Sequence, residues 1–262
     1  MTFQAVIPVS GLAGWAFLKR TMAAQQATMQ ASSAMQRDEG YFRDRIARIA
    51  SARELVDDRR LLRITLESFG LEADVDARAF IRKILEGGTA DPKALANRLA
   101  DKRYRSLAEA FDFSDPTAPP TRRKGFADEI LSLRRARRFE VAVGETDNDL
   151  RLALNAEREL AALASSSMGE NAKWFTLMGN QPLREVIEGA FGLPSSFGRL
   201  DVDRQLRTLK QQAQRRFGAS SLDQFAEPDR MNRLVRDFLV RRQAASPAPA
   251  SPALMMLQTM HR

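Results

Sequence analysis

Cysteine is absent from this chain, and histidine occurs once, as His261 beside the last residue. Without cysteine there can be no disulfide, thiol nucleophile or thiolate metal site, although the compartment stays open because exported proteins can also lack cysteine. A lone histidine at a chain end argues against a serine-histidine triad, histidine general-base chemistry and an all-histidine metal site. Strand signals are scarce too, with no sustained alternation and no Asn-Gly or Asp-Gly turn joining two strand-like runs. The apolar run from Ala5 to Leu18 is short, broken by Pro8, Gly11 and Gly14, and has no basic start. It predicts neither a membrane span nor a cleaved leader, so a soluble cytoplasmic protein is expected. Glycines form neither a GxxxxGK[ST] run nor a strand followed by GxGxxG, which leaves nucleotide binding without support.

What the chain does have is apolar residues at helical spacing. Hydrophobic residues make up 44% of 262, enough for one large core or two small ones. Basic residues number 41 against 33 acidic ones, a net charge of +8, and only 7 of the 41 are lysine. That balance favours acidic partners in general but governs encounter more than identity.

The periodicity predicts an all-α, multi-helical fold. Residues 12 to 48 can be helical, with Phe42, Ile46 and Ile49 on one face. Ser51 with Glu54 forms a capping box ahead of a helix that carries Leu55, Leu62, Leu66 and Phe69 and stops at Gly70. Asp74 is expected to cap a third helix ending at Gly87-Gly88, Asp91-Pro92 to start a fourth, and Asp101 a fifth that ends near Phe113. The segment SDPTAPPT, residues 114–121, reads as a non-helical linker. Gly125 to Val143 follows as a helix, then Thr146 with Asp149 suggests a cap for one bearing Ala153, Ala156, Leu160 and Leu163. Trp174, Phe175 and Leu177 are expected to pack, and Pro182 to open a further helix. Val202, Leu206, Leu209, Ala213 and Phe217 then run to Gly218, and Ser221 with Gln224 makes another capping box.

A pattern recurs across the two halves. LLRITLESFGL (61–71) parallels PLREVIEGAFGL (182–193), each is followed by DVD, and Leu95 to Phe111 spans the same length as Leu222 to Phe238. The expected organisation is an N-terminal helical segment (1–50), a first repeat (51–113), the linker (114–121), connecting helices (122–181), a second repeat (182–242) and a tail (243–262), with the two similar halves arising by duplication.

Candidate sites are few. The paired carboxylates Asp57-Asp58, Asp74-Asp76 and Asp201-Asp203 read most simply as helix caps, and no calcium-loop pattern follows them. Arg134, Arg135, Arg137 and Arg138 form the strongest electrostatic feature, and Arg134 and Arg138 share a helix face able to meet phosphates. Acidic neighbours Glu129, Glu140 and Glu145 favour a solvated face or an ion-pair network instead. Apolar clusters stand outside the repeated body: Trp15, Phe17, Leu18 and Met22 at the front, and Leu254, Met255, Met256, Leu257 and Met260 at the back, beyond an Ala/Ser/Pro-rich tether. Either they fold onto the core or they dock on a partner, a role to which methionine is well suited.

Four strings taken in order, SGLAGWAFLKRT (10–21), LVDDRRLLRITLESFGL (55–71), DPKALANRLADKRYRSLAEAFDF (91–113) and FEVAVGETDNDLRLAL (139–154), resemble an alphaproteobacterial family of unknown function numbered 1217. Genes of that family often lie among flagellar genes. The resemblance implies a non-enzymatic flagellum-associated structural or assembly protein, with no cofactor or metal, that binds rod, hook or export-apparatus proteins. It would work in the cytoplasm or after export to the flagellum, with self-association open. The alternative is an arginine-rich nucleic-acid-binding regulator. An enzyme is the least favoured class.

Overall fold

A computed structural model describes residues 3–99, 101–115 and 117–245 of the chain. Among them are thirteen α-helices and four short 3-10 turns, with no strand, so the fold is all-α. The helices are α1 (Gly11–Gln30), α2 (Ser33–Ile46), α3 (Ala52–Asp57), α4 (Arg59–Phe69), α5 (Arg78–Gly87), α6 (Leu95–Arg98) and α7 (Arg103–Phe111). They continue as α8 (Phe126–Gly144), α9 (Asn148–Ala164), α10 (Glu170–Gly179), α11 (Gln181–Phe191), α12 (Val202–Phe217) and α13 (Pro228–Ala245). Among the described residues the chain divides into two compact units, one within 3–7, 17–151 and 178–180, the other of 8–16, 152–177 and 181–245.

The first unit is organised by α4, which packs on α8, α2 and α3. Leu61, Leu62, Leu66 and Phe69 leave its inner face for a core shared with Phe42 and Ile46 of α2, Phe111 of α7 and Phe126 and Ile130 of α8. The Phe111 and Phe126 rings meet edge to face, centroids 5.2 Å apart, a geometry their quadrupoles favour. The linker expected at 114–121 lies inside this unit. Thr121 is buried there and its hydroxyl donates to the Ile49 carbonyl, so the proline-rich segment is tied to the body.

In the second unit α11 lies against α13. The approach is close at Gly189, where a Cβ would fall 2.8 Å from Cδ2 of the buried Phe238 ring. Leu183, Val186, Ile187, Leu234, Val235 and Leu239 fill the rest of that seam.

Helix ends show how local chemistry sets the boundaries. Ser51 Oγ accepts from the Glu54 amide and the Glu54 carboxylate accepts from the Ala50 amide at 2.7 Å, a capping box whose return bond goes to the residue before the cap. Asp58 interrupts the single helix expected from 51 to 69. Its Oδ1 accepts from the amides of Arg60 and Leu61 and restarts the chain as α4. Asp74 does not cap the third helix. Its carboxylate accepts from the Tyr104 hydroxyl at 2.7 Å, and α5 begins after Ala77 without a side-chain cap. Nor is Thr146 the cap of α9, because Asp147 Oδ1 accepts from the Leu150 amide. The helix expected over 12–48 is broken at Ala31-Ser32 into α1 and α2. Ser221 does accept from the Asp223 amide, but Gln224 turns to the Ala219 carbonyl, and the result is a 3-10 turn.

The two similar strings adopt matching local geometry. Gly70 and Gly192 both have positive φ, 71° and 65°, the left-handed conformation that side chains resist. After each, the Leu amide bonds back to the residue five earlier, Leu71 to the Leu66 carbonyl and Leu193 to the Glu188 carbonyl. These are the outer bonds of a Schellman ending. Equal sequence here yields equal helix termination.

Candidate functional site

The arginine stretch singled out in the sequence lies on α8, with Arg134 facing inward and Arg135, Arg137 and Arg138 half-buried. Arg134 is 1% exposed, among the largest fully buried side chains. Its Nε donates to Glu67 Oε2 and its Nη2 to Asp38 Oδ2, both at 2.7 Å, while Nη1 meets the Met35 sulfur at 3.4 Å. One planar guanidinium thus ties α8 to α4 and α2. Around it, Arg60 and Arg63 also bind Asp38, Arg63 and Arg138 also bind Glu67, and Arg135 grips Glu39.

Burial alone would raise the proton affinity of these carboxylates. At Asp38, hydrogen bonds from Arg63, Arg60 and Arg134 override it and hold the carboxyl at about 2. Glu39 and Glu67 are likewise lowered against burial, by Arg135 and by Arg134. The network therefore stays ionised across the physiological range. Arg134 is buried away from any solvent phosphate, and Arg135 and Arg138 pair with Glu39 and Glu67, so the face forms an ion-pair network, the arrangement favoured over phosphate contact from the sequence.

Arg137 turns elsewhere. Its Nη1 would lie 3.4 Å from a Cβ on Gly70, and its charge helps to lower Asp101. Arg103 chelates Asp101 through Nε and Nη2 and donates Nη1 to the Gly70 carbonyl, so the end of α4 is held by side chains from later helices. Burial and the neighbouring Asp74 push the Tyr104 phenol up to about 12.

Of the N-terminal apolar residues, Leu18 is fully buried, so it belongs to the core and is unavailable to a partner. Phe17 and Met22 are half-buried in the first unit, and Trp15 is half-buried in the second. The C-terminal cluster Leu254, Met255, Met256, Leu257 and Met260 lies outside the described residues.

The second unit holds a polar site that the sequence reading missed. Lys173 is buried on α10, and its ammonium donates to the Ala164 carbonyl at 2.7 Å and to the Asp223 carboxylate. It satisfies the C-terminal end of α9 and ties it to the turn before α13. Trp174, also buried, donates Nε1 to Glu170 and to the Ser220 carbonyl. Leu177 is buried as expected, but Phe175 is 42% exposed, because the buried side of α10 is taken by Lys173, Trp174 and Leu177.

Among the described residues no group of three or more histidines or carboxylates is placed to hold a metal ion. No helix among them is long and apolar enough to cross a membrane.

Comparison with known proteins adds fold and family. The structure is similar to the crystal structure of protein AGR_C_984 from Agrobacterium tumefaciens, with a TM-score of 0.76 and 23% identity over 93% of this chain and 100% of that one. At that identity the likeness speaks to the fold alone. No curated protein matches the sequence. The family model described as protein of unknown function DUF1217 matches residues 68–231, more than half the chain. With the helices, caps and paired arginines of that span in place, the chain belongs to the DUF1217 family.

Proposed function

We propose that the chain is a non-enzymatic, flagellum-associated structural or assembly protein that acts by binding other proteins. One observation carries the non-catalytic part of this reading. Where neighbours displace a proton affinity among the described residues, they move it away from neutrality: Asp38, Glu39, Glu67, Asp101, Asp115 and Asp223 are lowered, while Tyr41, Tyr104, Arg63, Arg103 and Arg135 are raised. General acids and bases need the opposite, a proton affinity brought toward the working pH. Most of these groups also bridge helices or hold a turn, so their polarity is spent on architecture.

The flagellar part rests on the family resemblance, and binding rests on the half-buried Trp15, Phe17 and Met22 together with the methionine-rich tail. Rod, hook and export-apparatus proteins are the partners this reading names, met in the cytoplasm or at the flagellum. The test is affinity capture from flagellated cells with the full chain and with a chain ending at Ala245. The shortened chain is expected to keep its helical circular dichroism and lose a flagellar component that the full chain recovers. Recovery of no flagellar component by either chain would sink the reading.

A further inference from the structure

A run of basic residues without carboxylate partners lies on α12, far along the chain from the arginine stretch of α8. From Arg204 to Leu222 the sequence contains no acidic residue, while Arg204, Arg207, Lys210, Arg215 and Arg216 all fall within it. Helical geometry sorts them. Gln205, Leu206, Leu209, Ala213 and Phe217 are the buried face of α12. At about 100° per residue, Arg204, Arg207, Gln211 and Arg215 fall within roughly 80° of one another on the opposite face. All four are exposed.

The contrast with α8 is in the partners. Arg134, Arg135 and Arg138 each have a carboxylate. On α12, Lys210 donates to the neutral Asn171 amide oxygen, and Arg216 to Gln212 and to the Phe191 carbonyl. Among the described residues, no carboxylate pairs with Arg204, Arg207 or Arg215. Arg233 of α13, also exposed, places its guanidinium 5.3 Å from the centre of the Phe217 ring, on the buried side of α12 and apart from the stripe. Like charges at helical spacing repel one another by a few tenths of a kcal/mol per pair. Arg204 and Arg207 are the one such pair in the stripe, and Asp203 stands one turn before Arg207, so water and salt screen these cations unless an acidic surface covers them.

We propose that the exposed face of α12, formed by Arg204, Arg207, Gln211 and Arg215, docks an acidic helix of a partner protein. This deepens the protein-binding reading above and rests on it. The stripe runs about 16 Å along the helix axis, the length of three helical turns, so carboxylates at i, i+4, i+7 and i+11 of a partner helix line one face over the same length. Gln211 lies between the cations with a neutral donor and acceptor, suited to the amide or carboxylate of such a helix. The face carries no aromatic side chain on which a nucleic-acid base would stack, and three exposed arginines along one helix form a small footprint for a duplex.

The test uses the full chain and a labelled alanine-based helical peptide with glutamate at i, i+4, i+7 and i+11. A second peptide has glutamine at those positions, and a random 20-base-pair DNA duplex is the third probe. The wild-type chain is expected to bind the glutamate peptide, with an affinity that falls as salt is raised, and not the glutamine one. Arg204→Glu, Arg207→Glu and Arg215→Glu together should weaken that binding at least ten-fold. Arg37→Glu, Arg48→Glu and Lys83→Glu, exposed residues that change net charge equally, should leave it within about two-fold. Circular dichroism of each variant checks that the helices persist. Equal loss in both triple variants, or no binding of the glutamate peptide, would overturn the proposal. Tighter binding of the duplex than of the peptide, lost in the α12 variant, would overturn it in favour of a phosphate-binding face. A chain that captures no flagellar component yet holds the glutamate peptide through α12 would refute the flagellar reading alone.

Discussion

Replacing Arg134 by alanine removes the cation on which three helices of the first unit converge. Its side chain is 1% exposed and holds Glu67 and Asp38 by two charge-assisted bonds of 2.7 Å. Breaking a buried ion pair costs about 3–5 kcal/mol, mainly because an uncompensated charge stays behind. Here the remaining charges are partly compensated, since Asp38 keeps Arg60 and Arg63, and Glu67 keeps Arg63 and Arg138. The expected loss for Arg134→Ala is therefore at the lower end, about 3 kcal/mol. Arg134→Met, which refills the space beside Met35 with an apolar chain, should recover part of that, leaving a loss of about 1–2 kcal/mol. Urea unfolding followed by circular dichroism at 222 nm measures both. With a slope of about 2–3 kcal/mol per molar urea, the alanine variant should unfold roughly 1 M earlier than wild type. An Arg134→Ala variant within about 0.5 kcal/mol of wild type would refute the reasoning, because the guanidinium would then be dispensable to the first unit.

Three further outcomes follow from the same geometry. Gly189→Ala should destabilise by about 1–3 kcal/mol in urea unfolding despite alanine's better helix propensity, because its methyl would fall 2.8 Å from the buried Phe238 ring; Gly40→Ala, with nothing near its Cβ, should be neutral or slightly stabilising. Asp58→Ala removes both the Oδ1 that caps two amides of α4 and the Oδ2 that accepts from the Tyr41 hydroxyl, so a loss of about 1–2 kcal/mol is expected, of which Asp58→Asn should restore a part. Asp38 is held at about 2 against 3.8 for the free side chain. Its folded value is depressed, so its stabilisation is fully present above pH 4 and is lost as pH falls toward 2. That contribution is about 2 kcal/mol, and Asp38→Asn should lack this part of the acid dependence when unfolding is measured between pH 5 and 2.

Much of the fold was legible because it is written locally. Ser51-Glu54, Gly70, Gly192, Gly218 and Pro182 each act within one helical turn, and each does what its residue type dictates. Where the expectation failed, a local signal met a competing one. Asp58 outbid the continuous apolar spacing of 55–69 because two free amides lay within its reach, and Asp74 gave up its cap to the Tyr104 hydroxyl. The arginine network was legible only as a charge run. Arg134 lies 96 residues from Asp38 and 67 from Glu67, and no spacing rule links positions so far apart. Phe175 misled for a related reason. An aromatic beside Trp174 suggests packing, yet one side of a ten-residue helix cannot bury Lys173, Trp174, Phe175 and Leu177 together. A lysine next to a tryptophan in an apolar stretch was the one visible sign of the buried Lys173 site. The α12 stripe was readable as nineteen residues without an acid, but its meaning depends on which side of the helix is covered.

On the function proposed above, this chain uses its polar chemistry to hold helices together and would work by presenting surfaces to other proteins of the flagellum. Affinity capture from flagellated cells with the full-length wild-type chain, followed by mass spectrometry of the retained proteins, tests it most directly. At least one rod, hook or export-apparatus protein should be enriched over a charge-matched control protein. Recovery of no flagellar protein, with a small-molecule turnover or a nucleic acid copurifying instead, would contradict it.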